Sequence, residues 1–221
     1  MKPRGKVIAI DGPSGAGKST AGRVLAERLG YTFIDTGAMY RALALKTARA
    51  ATDPADGAAV AALLHDARIE LKHGGRRVWL DGEDVSEAIR TPQTSALASQ
   101  VSAHPAVRRE MVARQRALGA AGGVVLDGRD IGSAVFPDAD LKFYLDADPA
   151  RRAQRRVSEL LDDGQAAELE SVLHDIRARD HADMTRADSP LVRPQGAIVL
   201  DTTSLTPEQV VERMLEAVRA I

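Results

Sequence analysis

Short apolar runs alternate along this chain with segments of helical periodicity. Five of the runs have the length and composition of strands, at residues 6–11, 32–35, 124–127, 141–145 and 197–201. They are mainly apolar, and four of the five end on aspartate. Apolar runs separated by helices are typical of a parallel sheet with helices on both faces, whose ligand crevice lies at the carboxyl ends of the strands. We therefore predict an α/β fold with a five-stranded parallel sheet whose terminal aspartates share one edge.

About 90 residues separate the second and third strands, too many for a simple crossover. Two short β-like runs lie within this segment, at 69–72 and 77–80, and an Asp-Gly turn follows them. This pattern predicts a small antiparallel sheet. Helices are predicted around it at 36–50, 55–67, 92–103 and 105–118. Within a single unit spanning 1–221, we expect residues 36–106 to form an insert that carries the small sheet at 69–85.

A second and shorter insert follows the fourth strand. A helix rich in arginine begins at 151 and is expected to break near the sequence Asp162-Asp163-Gly164. An acidic helix then runs from about 167 to 179. This pattern predicts a second insert in the sheet, smaller than the first.

Composition narrows the class of protein. The 221 residues carry a formal net charge of −1 and include no cysteine. A near-neutral chain has no global field that would attract nucleic acid or an anionic membrane, and the lack of cysteine excludes disulfides and cysteine-ligated zinc sites. The five histidines are scattered without metal-ligand spacing, and no run approaches the roughly 18 apolar residues of a membrane span. We expect a cytoplasmic protein without nucleic-acid or membrane partners.

The most specific motif, GPSGAGKST, lies directly after the first strand and before a helical pattern. It comprises Gly12, Pro13, Ser14, Gly15, Ala16, Gly17, Lys18, Ser19 and Thr20. The motif matches the phosphate-binding P-loop in its required strand-to-helix setting. The glycines let the backbone wrap around phosphate oxygens at the positive end of a helix, while Lys18 is expected to reach the β- and γ-phosphates and the Ser19 hydroxyl to coordinate Mg²⁺. The motif therefore predicts ATP with Mg²⁺ as the bound cofactor.

The third strand of the predicted sheet runs into a polar loop. Asp127 ends this strand in a position like that of the Walker B aspartate, where a carboxylate can hold Mg²⁺ or its water. Arg129 and Asp130 lie further out, where a phosphate acceptor could contact them. A turn with a plain Arg–Asp ion pair is the alternative.

Two further groups of arginines fit a phosphate-handling crevice. Four of the six residues at 151–156 are arginines, and a solvated basic helix face is the alternative explanation. On a continuous helix, Arg179, Asp183 and Arg186 would share a face, although surface ion pairs give the same spacing. At the second strand, Thr36 is expected at least to cap the next helix, and Arg41 points either into the crevice or to solvent.

Together these segments resemble the bacterial cytidylate kinases, a family of nucleoside monophosphate kinases. The similarity runs in order through IDGPSGAGKST, DTGAMYR, GEDVSEAIRT, ASQVSAHPAVR, DGRDIG, VFPDA and RARDHADMTR. It spans nearly the whole chain and is far more specific than the P-loop alone. The resemblance implies a core sheet, an acceptor-nucleotide domain enlarged by a small β-sheet, and a short lid at 151–164 over the crevice, in agreement with the two inserts.

The resemblance also implies roles for individual residues. It implies Thr36, Arg108, Asp130 and Arg186 near cytosine, Ser99, Arg179 and Asp183 near the pentose or its phosphate, and Arg41 and Arg129 at the acceptor phosphate. Arg155 and Arg156 belong to the lid. We expect Lys18, Arg129, Arg155 and Arg179 to act in catalysis, Arg156 to contact ATP, and Ser19 and Asp127 to hold the metal. Two positions depart from the usual family pattern: Thr36 replaces serine and keeps the hydroxyl, whereas Ser19 replaces glycine and alters the expected Mg²⁺ ligand set.

The implied reaction is transfer of the γ-phosphoryl group of MgATP to CMP or dCMP, and we expect the enzyme to be a monomer. A carboxylate such as Asp130 can accept a hydrogen bond from the exocyclic amine of cytosine, and guanidinium groups can donate to N3 and O2. Uracil reverses the first two of these groups, so we expect CMP to be preferred over UMP. A kinase for UMP or for a small metabolite alcohol is the alternative. A GTP-dependent switch with N-K-x-D base recognition is excluded, because the chain contains no asparagine.

Overall fold

The computed structural model describes residues 5–162 and 164–221. Its strands are β1 (Val7–Asp11), β2 (Thr32–Asp35), β3 (Ile69–Lys72), β4 (Arg77–Leu80), β5 (Glu83–Asp84), β6 (Val124–Asp127), β7 (Leu141–Asp146) and β8 (Ile198–Asp201). Its helices are α1 (Lys18–Leu29), α2 (Thr36–Arg49), α3 (Gly57–His65), α4 (Pro92–Val101), α5 (Pro105–Gly119), α6 (Pro149–Asp162), α7 (Leu169–Thr185) and α8 (Pro207–Arg219).

The main sheet has five strands in the order β2-β6-β1-β7-β8, and every neighbouring pair is parallel. The predicted parallel sheet is thus confirmed. Its register pairs Asp127 of β6 with Ile10 of β1 and with Asp35 of β2. The carboxyl ends of the central strands therefore lie side by side at one edge, where the P-loop leaves β1.

The apolar runs of β1 and β6 are fully buried because helices cover both faces of the sheet. One hydrophobic cluster joins β1 and β7 to α1 and α8 through residues such as Ile10, Phe143 and Met214. A second cluster on the opposite face contains Ala9, Leu126 and Ile131. The alternation of these side chains between the two faces follows from the two-residue period of a strand.

The small antiparallel sheet is also confirmed, in the order β3-β4-β5. It packs with α2 through a cluster that includes Ala42, Val78 and Leu80. Helices α2, α3, α4 and α5 share a separate core around Leu43, and Val101 is among its fully buried members. The assignment of 36–106 to an acceptor domain remains a prediction.

Several predicted boundaries need correction. Thr36 is not the cap of α2: the Asp35 side chain accepts the Ala38 amide at 2.7 Å, and Thr36 is the first helical residue. The acidic helix continues well beyond 179, to Thr185. Arg186 follows its end in extended conformation, so it does not share a helical face with Arg179 and Asp183. The predicted break near 162–164 includes Asp163, which lies outside the described residues.

Across residues 5–162 and 164–221, the helices are too short or too polar to cross a lipid bilayer.

Candidate active site

The P-loop wraps tightly between β1 and α1. Gly12, Gly15 and Gly17 all take positive φ angles, of 141°, 76° and 87°. A Cβ atom at Gly12 would lie 1.9 Å from the Leu145 carbonyl oxygen, so glycine is required there by space as well as by conformation. The loop ends at the first turn of α1, where free backbone amides and the helix dipole favour an anion.

Lys18 is buried inside this loop. Its Nζ donates a hydrogen bond to the Pro13 carbonyl oxygen at 2.6 Å. Burial and the nearby positive charge of Arg129 hold the Lys18 pKa well below its usual range. A phosphate placed here would relieve both effects, because it supplies negative charge where cations crowd together.

Ser19 and Asp127 form a candidate Mg²⁺ site. The Ser19 hydroxyl donates to Asp127 Oδ2 at 2.5 Å, while Asp127 Oδ1 is buried and has no hydrogen-bond partner among the described residues. Burial, followed by the negative charge of Asp35, raises the Asp127 pKa to about 7. An unpartnered carboxylate oxygen beside a hydroxyl is the hard oxygen donor set that Mg²⁺ prefers. These residues therefore fit the metal that the P-loop implies.

A buried ion-pair network occupies the other side of the crevice. Asp130 receives a hydrogen bond from Arg108 Nη2 at 2.5 Å, and Arg186 Nη2 lies 3.9 Å from its second oxygen. Arg108 also stacks beside Tyr40, with 5.7 Å between Cζ and the ring centroid. Two donors in this network, Arg108 Nε and Arg186 Nη2, are buried and lack partners among the described residues. The network can therefore bind a flat ligand that offers both acceptors and a donor.

Asp183 links this network to the phosphate side. Arg129 Nε donates to Asp183 Oδ2 at 2.9 Å, and Arg186 Nη1 donates to Oδ1 at 3.1 Å. Burial opposes ionisation of Asp183, but the charges of Arg129, Arg179 and Arg186 outweigh it and lower its pKa. For Arg179, burial and the charge of Arg129 lower the pKa to about 10, and its Nε has no partner in the described part of the chain. Lys18, Arg129 and Arg179 thus form a cationic cluster, in which Arg179 Nε is free to donate a hydrogen bond to a ligand.

Three further residues predicted on the acceptor side make contacts of their own. The Thr36 hydroxyl donates to the Asp127 carbonyl at 2.6 Å, which joins α2 to the end of β6. Arg41 pairs with Asp35 at 3.1 Å. Ser99 is partly buried on α4, and its carbonyl oxygen accepts the Ser102 hydroxyl at the end of that helix.

The predicted lid arginines do not converge on one point. Arg155 donates to the carbonyl and hydroxyl oxygens of Thr202 after β8. Arg156 pairs with Glu159 of its own helix at 3.1 Å. Their proposed roles at ATP therefore require both side chains to change partners.

Arg152 is a further candidate for a functional role. The sequence alone indicated no separate role for this residue. It is 3% exposed and donates to the Ser14 carbonyl of the P-loop at 3.0 Å and to the Ala147 carbonyl at 2.9 Å. It also pairs with Asp180 of α7 at 2.7 Å. Its place in the 151–156 arginine group was visible, but helical spacing did not show which arginine faces inward.

Comparison with solved structures supports the fold alone. The chain resembles a gluconokinase from Sinorhizobium meliloti 1021 with a TM-score of 0.52, at 15% identity, covering 98% of this chain and 93% of that one. It also resembles an uncharacterized protein from Eubacterium ventriosum, with a TM-score of 0.53 at 9% identity, covering 98% and 99% of the two chains. Similarity at this level of identity carries no information on the substrate.

Sequence comparison is far more specific. The family model described as cytidylate kinase matches residues 8–220. A cytidylate kinase from Symbiobacterium thermophilum is 51% identical over 216 residues, covering 96% of each chain. Another, from Syntrophotalea carbinolica, is 50% identical and covers 96% of this chain and 91% of its own. A bifunctional pantoate ligase/cytidylate kinase from Gloeobacter violaceus is 47% identical over 98% of this chain but only 43% of its own length. The chain belongs to the cytidylate kinase family.

Proposed function

We infer that this protein is a cytidylate kinase, which transfers a phosphoryl group from ATP to CMP. Family membership over nearly the whole chain supports the reaction. The observation that carries the site assignment is the buried Asp130 carboxylate, held between Arg108 and Arg186. We extend the acceptor to dCMP, because this network reads the base and not the ribose.

The proposed base site pairs each edge group of cytosine with a complementary protein group. Asp130 accepts a hydrogen bond from the exocyclic amine, and the free donors Arg108 Nε and Arg186 Nη2 are available to N3 and O2. Uracil would set a carbonyl oxygen against the Asp130 carboxylate and leave buried donors unpaired. Such mismatches separate substrates by up to about 10⁴-fold in favourable cases.

The phosphates are proposed to meet in the cationic cluster. The P-loop amides and Lys18 hold the β- and γ-phosphates of ATP, while Arg129, Arg179 and Arg41 face the acceptor phosphate. The phosphate oxygen of CMP attacks the γ-phosphorus in line as the bond to the β-γ bridging oxygen breaks, giving ADP and CDP. The attacking oxygen is already anionic, so catalysis depends on positioning and charge neutralisation rather than on a strong base.

Ser19 and Asp127 are proposed to hold Mg²⁺. The metal supplies charge neutralisation on the phosphate oxygens when it is bound. The remaining assignments place Thr36, Ser99 and Asp183 around the acceptor nucleotide. Arg155 and Arg156 are proposed to reach ATP when the lid at 151–164 closes and excludes water.

We further propose that the protein acts as a monomer in the cytoplasm, without nucleic-acid or membrane partners. Its proposed substrates are small nucleotides, and its net charge of −1 gives no general affinity for polyanions.

Coupled ADP release with a panel of acceptors tests this function. CMP and dCMP should be phosphorylated much more efficiently than UMP or AMP, and shikimate and gluconate should give no activity above background. Comparable turnover of CMP and UMP would overturn the proposed base site. Turnover of an alcohol acceptor with no CMP activity would overturn the reaction itself.

A further inference from the structure

Asp11 is a buried carboxylate that the proposed reaction does not use. It ends β1, immediately before the first glycine of the P-loop, and is 0% exposed. Its two oxygens accept hydrogen bonds from the loop that follows β6. Oδ1 accepts the backbone amide of Ile131, and Oδ2 accepts that of Gly132, both at 2.7 Å.

These two amides directly follow Asp130, the residue proposed to read cytosine. They begin a short π-helical turn, Ile131–Val135. A further bond from the Gly128 amide to the Ile10 carbonyl, at 2.9 Å, fixes the other end of the same loop. The loop that carries Arg129 and Asp130 is thus tied to the end of β1 on both sides of its two functional side chains.

We propose that Asp11 is a specificity-determining positioning residue, which holds the 128–132 loop so that Asp130 meets the amine of cytosine. The inference rests on the proposed function, because it assumes that Asp130 reads the base. Asp11 acts through the loop and touches no substrate. A carboxylate suits this role because both of its oxygens accept hydrogen bonds, whereas an amide of the same shape has only one acceptor.

The P-loop offers a competing explanation, since Asp11 also precedes Gly12. If Asp11 served only to shape the P-loop, its loss would impair ATP binding and slow transfer to every acceptor equally. If it positions Asp130, its loss would impair CMP more than UMP. The ratio of kcat/KM for the two acceptors separates these cases, and this ratio does not depend on how much of the enzyme is folded.

The test compares the wild-type chain with Asp11→Asn and with Asp140→Asn as a matched control. Asp140 lies beyond the opposite end of β1, where its carboxylate accepts the Val7 amide at 2.7 Å. We expect Asp11→Asn to lower kcat/KM for CMP by about 10-fold to 100-fold. The CMP-to-UMP ratio should fall about tenfold, with KM for ATP changed by less than about threefold. Asp140→Asn should leave the ratio at its wild-type value.

An unchanged CMP-to-UMP ratio in Asp11→Asn would overturn the inference, as would equal losses with both acceptors together with a raised KM for ATP. If Asp11→Asn does not fold, Asp11→Ser is scored by the same ratio, because its hydroxyl can rotate its hydrogen away from the amides, whereas the asparagine NH₂ group must face one of them. Failure of both variants to fold would assign Asp11 a purely structural role and also overturn the inference. A wild-type enzyme that does not prefer CMP would instead refute the proposed function.

Discussion

The buried charges of the crevice are only partly balanced by partners. Lys18 and Arg179 have lowered pKa values and Asp127 has a raised one, with burial as the largest cause in each case. Groups arranged in this way raise the free energy of the folded protein, and bound phosphate and Mg²⁺ would compensate them. Strain of this kind is common where a site is preorganised for a charged ligand.

Lys18→Ala tests the phosphate-binding role of the P-loop. We expect it to reduce transfer by about 10³-fold or more, because no other ammonium lies within the loop. The fold should survive, since the substitution removes a buried charge whose ionisation the protein disfavours. Coupled ADP release measures the first effect, and circular dichroism with thermal melting measures the second. Retained activity would remove Lys18 from the mechanism.

Asp127→Asn should make the protein more stable and less active. The raised pKa means that folded Asp127 holds its proton up to about pH 7, whereas the carboxyl of the unfolded chain has its ordinary pKa of 3.8. Rising pH between these values therefore favours the unfolded wild-type chain, and the full penalty persists above pH 7. The asparagine variant lacks this penalty.

Thermal melting of both proteins in EDTA checks this expectation. The gain in Tm of Asp127→Asn should be near zero at pH 4 and largest at pH 8, amounting to about 2–4 °C for each 1 kcal/mol recovered. Phosphoryl transfer by the variant should be strongly reduced in the presence of Mg²⁺. A variant that is less stable than wild type at pH 8 would contradict the account.

Some site residues were predictable from the sequence and others were not, for local reasons. The P-loop is a continuous segment, so its glycines and Lys18 could be identified from spacing alone. Asp127 was recognisable because it ends a buried strand beside the P-loop. The partner amides of Asp11 lie about 120 residues away, and a lone strand-end aspartate gives no indication of them.

At the level of elements, α6 and α7 are joined to the P-loop through one buried ion pair. Arg152 of α6 contacts both Asp180 of α7 and the Ser14 carbonyl, and a Cβ atom added at Gly15 would lie 3.1 Å from the Arg152 Cβ. This pair connects the helix carrying the lid arginines to the helix carrying Arg179. Of the four arginines at 151–156, only Arg152 takes part in this pair, and it is the one that is buried.

Breaking this pair from one side should cost more than removing it entirely. Arg152→Ala is expected to reduce the free energy of unfolding by about 3–5 kcal/mol, because it leaves Asp180 buried without a counter-charge. The double variant Arg152→Ala/Asp180→Ala should be less destabilised than the sum of the single variants, with a coupling of about 1–3 kcal/mol. Urea denaturation of the four proteins measures this coupling.

The exposed pair Arg28–Glu212 provides the control. Its side chains are 54% and 50% exposed, so its coupling should be about 0–1 kcal/mol. Strictly additive losses at Arg152 and Asp180 would refute the ion pair as a connection between the helices.

The type and order of the elements followed from the sequence, but some helix ends did not. Periodicity located α2, α4, α5 and the small sheet to within a few residues. The end of α7 was misplaced. The segment after 179 stays helical to Thr185, and its aspartates Asp180 and Asp183 are buried against the rest of the protein. Tertiary packing overrides weak local preference at such positions.

For the whole molecule, we expect a monomer in solution. Within residues 5–162 and 164–221, the large exposed hydrophobic side chains are Val24, Leu118, Leu161, Leu169, Met184, Val192, Ile198, Val199 and Ile221. They are spread over several elements, and the neighbours Ile198 and Val199 point to opposite faces of β8. Scattered apolar residues are ordinary on a monomeric surface. Light scattering after gel filtration should give about the 23.6 kDa of one chain, and a stable mass near twice that value would contradict the prediction.

The central claim is that ATP and a cytosine nucleotide bind side by side at the carboxyl edge of the sheet. A crystal structure with CMP and a non-hydrolysable ATP analogue tests it most directly. We predict the exocyclic amine of cytosine within hydrogen-bond distance of Asp130, with Arg186 at the base and the CMP phosphate beside Arg129 and Arg179. A pyrimidine bound away from Asp130 and Arg186 would contradict the account.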